Sequence, residues 1–258
     1  MKKILFLGYS SKKTKIIEKL KDNKKIKVFN TQEKVKAKEL DDIDLIITYG
    51  YKHIIDETII KKYKNIINLH ISYLPYNKGA HPNFWSFAEN TQSGVTIHKV
   101  NKKIDSGNIV FQKPLNFELN QNRKKLKFSQ TYAVLISEIE NLFMNNSKSL
   151  LNSDYDEFEQ IGDGTSHNVN ELPDILKSWN QNIFNTINKY QKQKNNMIKE
   201  KIDLLNIIQD TRKNNNVNWM NILRHSIKSS PSETSKMLNL INIDDEKISK
   251  LFKKLNEK

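Results

Sequence analysis

Short apolar runs that stop at glycine or a turn, separated by stretches with helical spacing, constrain this chain more than any other feature. Ile4-Leu5-Phe6-Leu7 is a buried-strand pattern ending at Gly8. Residues 11–21 put Ile16, Ile17 and Leu20 on one helical face. Ile26-Lys27-Val28-Phe29 is a second strand, and Leu45-Ile46-Ile47-Thr48-Tyr49, rich in β-branched residues, is a third, closed by Gly50. Residues 56–63 are predicted helical, and Ile66-Ile67-Asn68-Leu69-His70-Ile71 is a fourth strand. After a loop with Pro75, Gly79 and Pro82 comes a fifth, Val95-Thr96-Ile97-His98-Lys99-Val100, followed by Ile109-Val110-Phe111. Strands alternating with helices predict βαβ units, hence an α/β domain with a mainly parallel sheet.

The pattern changes after Gly164, beyond which there is no glycine, and residues 175–258 carry only helical spacing. We therefore divide the chain at 174/175. In the second part Ser230 reads as a helix N-cap with Pro231 first in the helix and Glu233 completing a capping box. Asp244, Asp245 and Glu246 read as a second helix start, and Asn214-Asn215-Asn216 as a loop. Trp219, Met220, Leu223 and Ile227 fall at helical spacing, as they would in helices packed on the first part or on a second subunit of a homodimer.

The net charge of +14 raises the question of nucleic acid. Of the 43 cationic residues, however, 40 are Lys and only 3 are Arg, and Asn is also abundant at 33. Arg is the residue that reads phosphates and bases with two parallel hydrogen bonds, so a solvated lysine surface is favoured over a nucleic-acid site. The chain has no Cys, which excludes disulfides, thiolate metal sites and a Cys nucleophile. No apolar run reaches the roughly 18 residues of a membrane span. The four apolar residues after Met1-Lys2-Lys3 are too few for a signal-peptide core, so a cytoplasmic location is expected.

Three side chains stand out for chemistry. Asn68 and His70, two apart on a strand, leave the same face near the strand's C-terminal end, where open α/β sheets gather their sites. An amide donor beside an imidazole suits an oxyanion; a polar pair that merely satisfies a strand end fits the spacing too. Asp105, in Lys103-Ile104-Asp105-Ser106-Gly107, reads alone as an Asx turn, and becomes a proton-handling group only if the fold carries it to His70. His98, alternating with Thr96, reads as a structural residue, His167 as a turn residue and His225 as surface.

Asn68-Leu69-His70-Ile71-Ser72-Tyr73-Leu74-Pro75 resembles the signature of the folate-dependent formyltransferases. Gly79-Ala80-His81-Pro82-Asn83-Phe84-Trp85, Gly94-Val95-Thr96-Ile97-His98, and Asp105-Ser106-Gly107-Asn108-Ile109 with Gln112 follow in the same order. Tyr49-Gly50-Tyr51-Lys52-His53-Ile54-Ile55 resembles that family's folate loop, and Gln160 with Gly164-Thr165-Ser166-His167 its closing segment. The likeness covers roughly residues 1–174 and is strongest over 44–113.

The resemblance implies a Rossmann-like catalytic domain in which N10-formyltetrahydrofolate gives its formyl group to a primary amine without a metal. Asn68 and His70 would hold the oxygen of the tetrahedral intermediate. Asp105 would set the protonation of His70 and help carry protons. Tyr51, His53 and Ile54 would line the pterin pocket, closed by backbone near Asp105. The blocks Ser72-Tyr73-Leu74-Pro75 and Pro82-Asn83-Phe84-Trp85-Ser86-Phe87 are most similar to the branch whose acceptors are nucleotide-linked amino sugars. There are departures. Gly8-Tyr9-Ser10-Ser11-Lys12 has one glycine where glycinamide ribonucleotide formyltransferases have a Gly-rich loop. The tail is helical where methionyl-tRNA formyltransferases have a β-barrel, and the stretch before Asn68 is about one strand–helix unit shorter. A hydrolase of the formyl donor, a methionyl-tRNA formyltransferase-like enzyme and a non-catalytic RNA-binding protein are the rival readings.

Overall fold

A computed structural model describes residues 1–117 and 125–256. Six strands form one sheet: β1 (Lys2–Gly8), β2 (Ile26–Thr31), β3 (Leu45–Tyr49), β4 (Ile66–His70), β6 (Ser93–Lys99) and β7 (Ile109–Leu115), in the order β2-β1-β3-β4-β6-β7. The first four are mutually parallel, whereas β6 runs antiparallel to β4 and β7 antiparallel to β6. The mainly parallel sheet expected from the apolar runs is therefore present, with an antiparallel hairpin at one edge. A two-stranded parallel pair joins β5 (Lys78–Gly79) to β8 (Ser166–His167).

Strand alternation divides the core between the two faces of the sheet. Ile4, Phe6, Leu45, Ile47, Ile67 and Leu69 point to one side. There they meet α1 (Ile16–Lys21), α4 (Phe128–Asn145) and α5 (Ser147–Asn152) through Ile17, Leu20, Leu135, Ile139, Phe143 and Leu150. Leu5, Leu7, Ile46 and Ile66 point to the other side and pack with Ile59 of α2 (Glu57–Lys62). The start of α2 is set by Asp56, whose carboxylate accepts from the Thr58 N–H. A third cluster joins Phe84, Trp85 and Ala88 of α3 (Pro82–Ala88) to Phe128 and Ile183.

The chain forms two compact units, Met1–Lys192 and Gln193–Lys258. The first reaches past residue 174 because Leu172, Leu176, Ile183, Ile187 and Tyr190 pack into the third cluster. The helical content expected of the tail is found as α6 (Ile183–Ser229) and α7 (Pro231–Asn256). Pro231 opens α7 as its sequence position predicts. Asn214-Asn215-Asn216, expected to be a loop, and Asp244-Asp245-Glu246, expected to start a helix, both lie inside continuous helix. The side chains of Asn214, Asn215, Asn216, Asp244 and Asp245 are outside the described ones. Propagating a helix through a few poor formers costs only tenths of a kcal/mol per residue, against a larger cost for nucleating it again. Trp219, Met220 and Ile227 are about half exposed. Among the described residues no helix is long and apolar enough to cross a membrane.

Candidate active site

Parallel pairing sets Thr48 of β3 beside Asn68 of β4, and antiparallel pairing sets Asn68 opposite His98 of β6. These side chains make a polar row across three neighbouring strands, and His70 with Thr96 makes a second row next to it. The β6–β7 ladder slips its register between Ile97 and His98, an irregularity of the kind that re-aims a side chain. The hairpin turn between β6 and β7 then returns Asp105 over the end of β4.

Asp105 is the hub. It sits at φ 46°, a left-handed conformation that Asp tolerates better than most residues. Its Oδ1 accepts from Asn68 Nδ2 at 3.1 Å and lies 3.4 Å from His98 Nε2. Its Oδ2 accepts from the Gly79 N–H at 2.8 Å and lies 3.6 Å from His70 Nδ1. Burial would raise this carboxyl, but the charge His70 carries when protonated, the bond and charge of a protonated His98, and the Gly79 N–H outweigh it. Asp105 is held well below the usual carboxylate range and is an anion.

His70 is 8% exposed, and its Nε2 is 3.2 Å from the carbonyl of Asn77, which can only accept. Nε2 therefore carries the proton and a neutral ring presents a bare Nδ1 to Asp105. Burial, aided by His98, pushes His70 down; Asp105 and the Asn77 carbonyl oppose this without reversing it. The two acceptors Nδ1 and Oδ2 thus face each other across 3.6 Å, a gap that suits a bound donor, an N–H or a water.

The loops around the site are stitched by polar side chains. Gln160 Nε2 donates to the carbonyls of Asp105 and Gly107, each at 2.8 Å. Gly107 is required where it stands, since a Cβ would overlap the Lys99 carbonyl. Thr165 Oγ1 accepts from the Asn77 N–H at 2.8 Å, and Gln112 Nε2 donates to the Leu74 carbonyl at 2.8 Å. His167, expected to be a turn residue, stacks flat on Trp85 at 3.8 Å between Glu89 and Glu171. Asp105, distant in sequence, is brought to Asn68 and His70.

The structure gives His98 a place that its reading as a structural residue missed. It is 1% exposed and polar-bonded within the same cluster. Thr48, whose Oγ1 donates to Asn68 Oδ1 at 2.6 Å, was missed as well. A pattern of polar residues two apart on successive strands is the signal that could have found them. Tyr51, His53 and Ile54 lie in the loop after β3, next to β4 and at the same sheet end as His70. Tyr51 spends its hydroxyl on loop 33–35, donating to the Glu33 carbonyl at 3.0 Å and accepting from the Val35 N–H at 3.2 Å. Its ring meets His53 edge-on at 5.3 Å, and Ile54 is 72% exposed. Among the described residues no hydrogen bond or ring contact joins these three to Asn68, His70 or Asp105. Among the described residues no three His, Asp or Glu side chains are grouped to hold a metal ion.

Comparison with known proteins points the same way. The formyl transferase family profile matches residues 8–129. The bifunctional polymyxin resistance protein ArnA of Wigglesworthia glossinidia brevipalpis is 33% identical over 150 residues, 56% of this chain but 22% of that protein. A methionyl-tRNA formyltransferase of Ureaplasma urealyticum is 34% identical over 124 residues, 44% of this chain and 39% of its own length. The chain thus spans well under half of these curated relatives. The crystal structure of the formyltransferase PseJ from Anoxybacillus kamchatkensis, in complex with UDP-4,6-dideoxy-4-formamido-L-AltNAc and tetrahydrofolate, is 32% identical with a TM-score of 0.64. That likeness covers 72% of this chain and 97% of PseJ. A likeness at this identity over nearly the whole of a solved formyltransferase places the chain in the formyl transferase family.

Proposed function

We propose that this protein moves the formyl group of N10-formyltetrahydrofolate onto the primary amine of a nucleotide-linked amino sugar, in the cytoplasm. The observation that carries the reading is the pair of facing acceptors, His70 Nδ1 and Asp105 Oδ2, beside the Asn68 amide. An attacking amine must lose a proton as its nitrogen bonds to the formyl carbon, and this gap offers two acceptors for it. Asn68, and His70 once its Nδ1 carries a proton, hold the oxygen that becomes negative in the tetrahedral intermediate. Asp105 keeps His70 in place and takes the amine's proton. Tyr51, His53 and Ile54 form the wall for the pterin at the adjoining strand end. Tyr51 acts through its ring, since its hydroxyl is already engaged.

The acceptor class is supported by PseJ, whose solved complex holds a formamido sugar nucleotide together with tetrahydrofolate. The catalytic work belongs to the first unit. Self-association belongs to the helical second unit, where Leu204, Leu205 and Leu240 are each about 60% exposed.

The test is tetrahydrofolate release from N10-formyltetrahydrofolate, with and without a panel of nucleotide-linked amino sugars, read with the mass of the sugar. Release that depends on one sugar, with a formyl mass gain on it, is expected. Release without any amine would make the protein a hydrolase. No release with any sugar, but release with methionyl-tRNA, would move the acceptor to RNA.

A further inference from the structure

His98 has a single tautomer available to it when neutral. Its Nδ1 is 2.7 Å from the Lys99 carbonyl, an oxygen that can only accept, so Nδ1 carries the hydrogen. A neutral ring then aims a bare Nε2 at Asn68 Nδ2, 3.1 Å away, with Asp105 Oδ1 at 3.4 Å. The Asn68 amide is consequently used up. Its Oδ1 accepts from Thr48, and its two N–H groups go to Asp105 and His98. In this state it has no N–H left for an oxyanion, so one of these bonds must open during the reaction.

We infer that His98 is a proton-holding positioning residue, whose protonation at Nε2 releases one Asn68 N–H to the oxyanion. An imidazolium Nε2–H can no longer accept from Asn68, and it donates to Asp105 Oδ1 instead. Proton uptake and the arming of the oxyanion donor thereby become one event. The groups facing the ring are Asp105 from the β6–β7 turn, Asn68 from β4, and His70 from β4 with its ring edge-on at 6.2 Å. The Lys99 ammonium is turned away, 3.7 Å from Glu157.

The balance closes without a further reactant. As the amine nitrogen bonds to the formyl carbon, the carbonyl electron pair moves to oxygen. The proton leaving that nitrogen passes through Asp105 to His98 Nε2. On collapse the carbonyl reforms, the bond from carbon to N10 breaks, and N10 keeps the pair and takes the proton back along the same path. The proton lost by the amine is the one gained by tetrahydrofolate. This kinetic consequence rests on the formyl-transfer reading; the coupling between His98 and Asn68 does not.

Two measurements on the full chain test it. The first needs no substrate: long-range proton–nitrogen NMR of the ¹⁵N-labelled protein. It is expected to show a neutral His98 protonated at Nδ1 and bare at Nε2. On acidification the Asn68 side-chain amide should shift with the same midpoint as Nε2. An Nε2–H tautomer, or an Asn68 amide that ignores the titration, would overturn the inference. The second is turnover of N10-formyltetrahydrofolate with the amine of which the PseJ-bound sugar is the formamide. His98→Gln should lose on the order of 10²-fold in kcat. It should also lose one ionisation from the pH profile of kcat, with KM for the folate within about twofold of wild type. An unchanged kcat and profile would also overturn it. If the wild type itself ignores that amine, the formyl-transfer reading to this sugar is at fault, and the NMR titration alone decides. The same holds if His98→Gln does not fold.

Discussion

Asn68 and His98 sit directly opposite one another in the antiparallel β4–β6 pair, with amide and ring nitrogens 3.1 Å apart. The polar centre of the site is therefore built on sheet register, with Asp105 the only member supplied by a turn. A site on strands is held more closely than one on loops, because each side chain is fixed by a ladder on both sides. Asp105 is the member whose position depends on added supports, and it is also the member on which the most bonds converge.

That convergence makes Asp105→Asn the most telling single change. The substitution keeps the shape but removes the anion, and it puts an NH2 where two donors, Asn68 Nδ2 and the Gly79 N–H, need acceptors. Turnover should fall by about 10² to 10⁴-fold if the carboxylate takes the amine's proton. The check is initial-rate tetrahydrofolate release, with circular dichroism to confirm the fold. A variant within about threefold of wild type would remove Asp105 from the chemistry.

The same cluster sets how stability depends on pH. His70 is pushed below the ordinary histidine value of 6.5, so between that value and its lower folded one the unfolded chain binds more protons. Stability is full above about 6.5 and declines as pH falls below it. Asp105 is lowered from 3.8, so its contribution is present above that value and is lost on further acidification. Both shifts act in one direction. Denaturant midpoints measured from pH 8 to pH 4 should fall steadily below about 6.5, and His70→Gln should flatten the upper part of that fall.

Much of this architecture was legible in the sequence, for a local reason. The runs at β1, β3 and β4 are continuous and apolar because helices cover both sheet faces. The shared face of Asn68 and His70 follows from strand alternation alone. What stayed hidden depends on partners far along the chain. Nothing local says that β6 turns antiparallel, and it is that register which makes His98 a neighbour of Asn68. The 18-residue helix α4 was not expected either, although Phe128, Leu135, Ile139 and Phe143 are all buried on one of its faces. Polar Gln, Ser and Glu between them blur the signal. In the tail, Asn214-Asn215-Asn216 carries the composition of a loop but is outvoted by the helix running through it.

Gln160 should act on the position of Asp105 and leave the chemistry alone. It bridges the carbonyls at 105 and 107, so Gln160→Ala removes both donors from a turn held in left-handed conformation. Two lost hydrogen bonds at a part-buried site cost about 1–3 kcal/mol in stability. With the turn loosened, KM for N10-formyltetrahydrofolate should rise several-fold. Gln160→Glu offers a carboxylate to the same two carbonyls and should be no better than Ala. Steady-state kinetics paired with thermal melts separate the effects. A lower melting temperature with unchanged KM would make Gln160 a support of the fold alone.

Thr48 provides the last test, because its hydroxyl bonds to Asn68 and not to His70 or Asp105. Its hydroxyl donates to Asn68 Oδ1 at 2.6 Å and fixes which way the amide faces. Thr48→Val keeps the volume at a position only 4% exposed but takes away that donor. Asn68 cannot simply turn over in response, since that would set its Oδ1 against the Asp105 carboxylate. The amide is left with an unsatisfied oxygen, costing about 1–3 kcal/mol of stability. If a misplaced oxyanion donor costs about 1.4 kcal/mol in the transition state, kcat falls roughly tenfold while KM for folate stays put. Thr48→Ser retains the donor and should recover most of the rate. A Val variant as fast as wild type would show that the orientation of Asn68 does not depend on this bond.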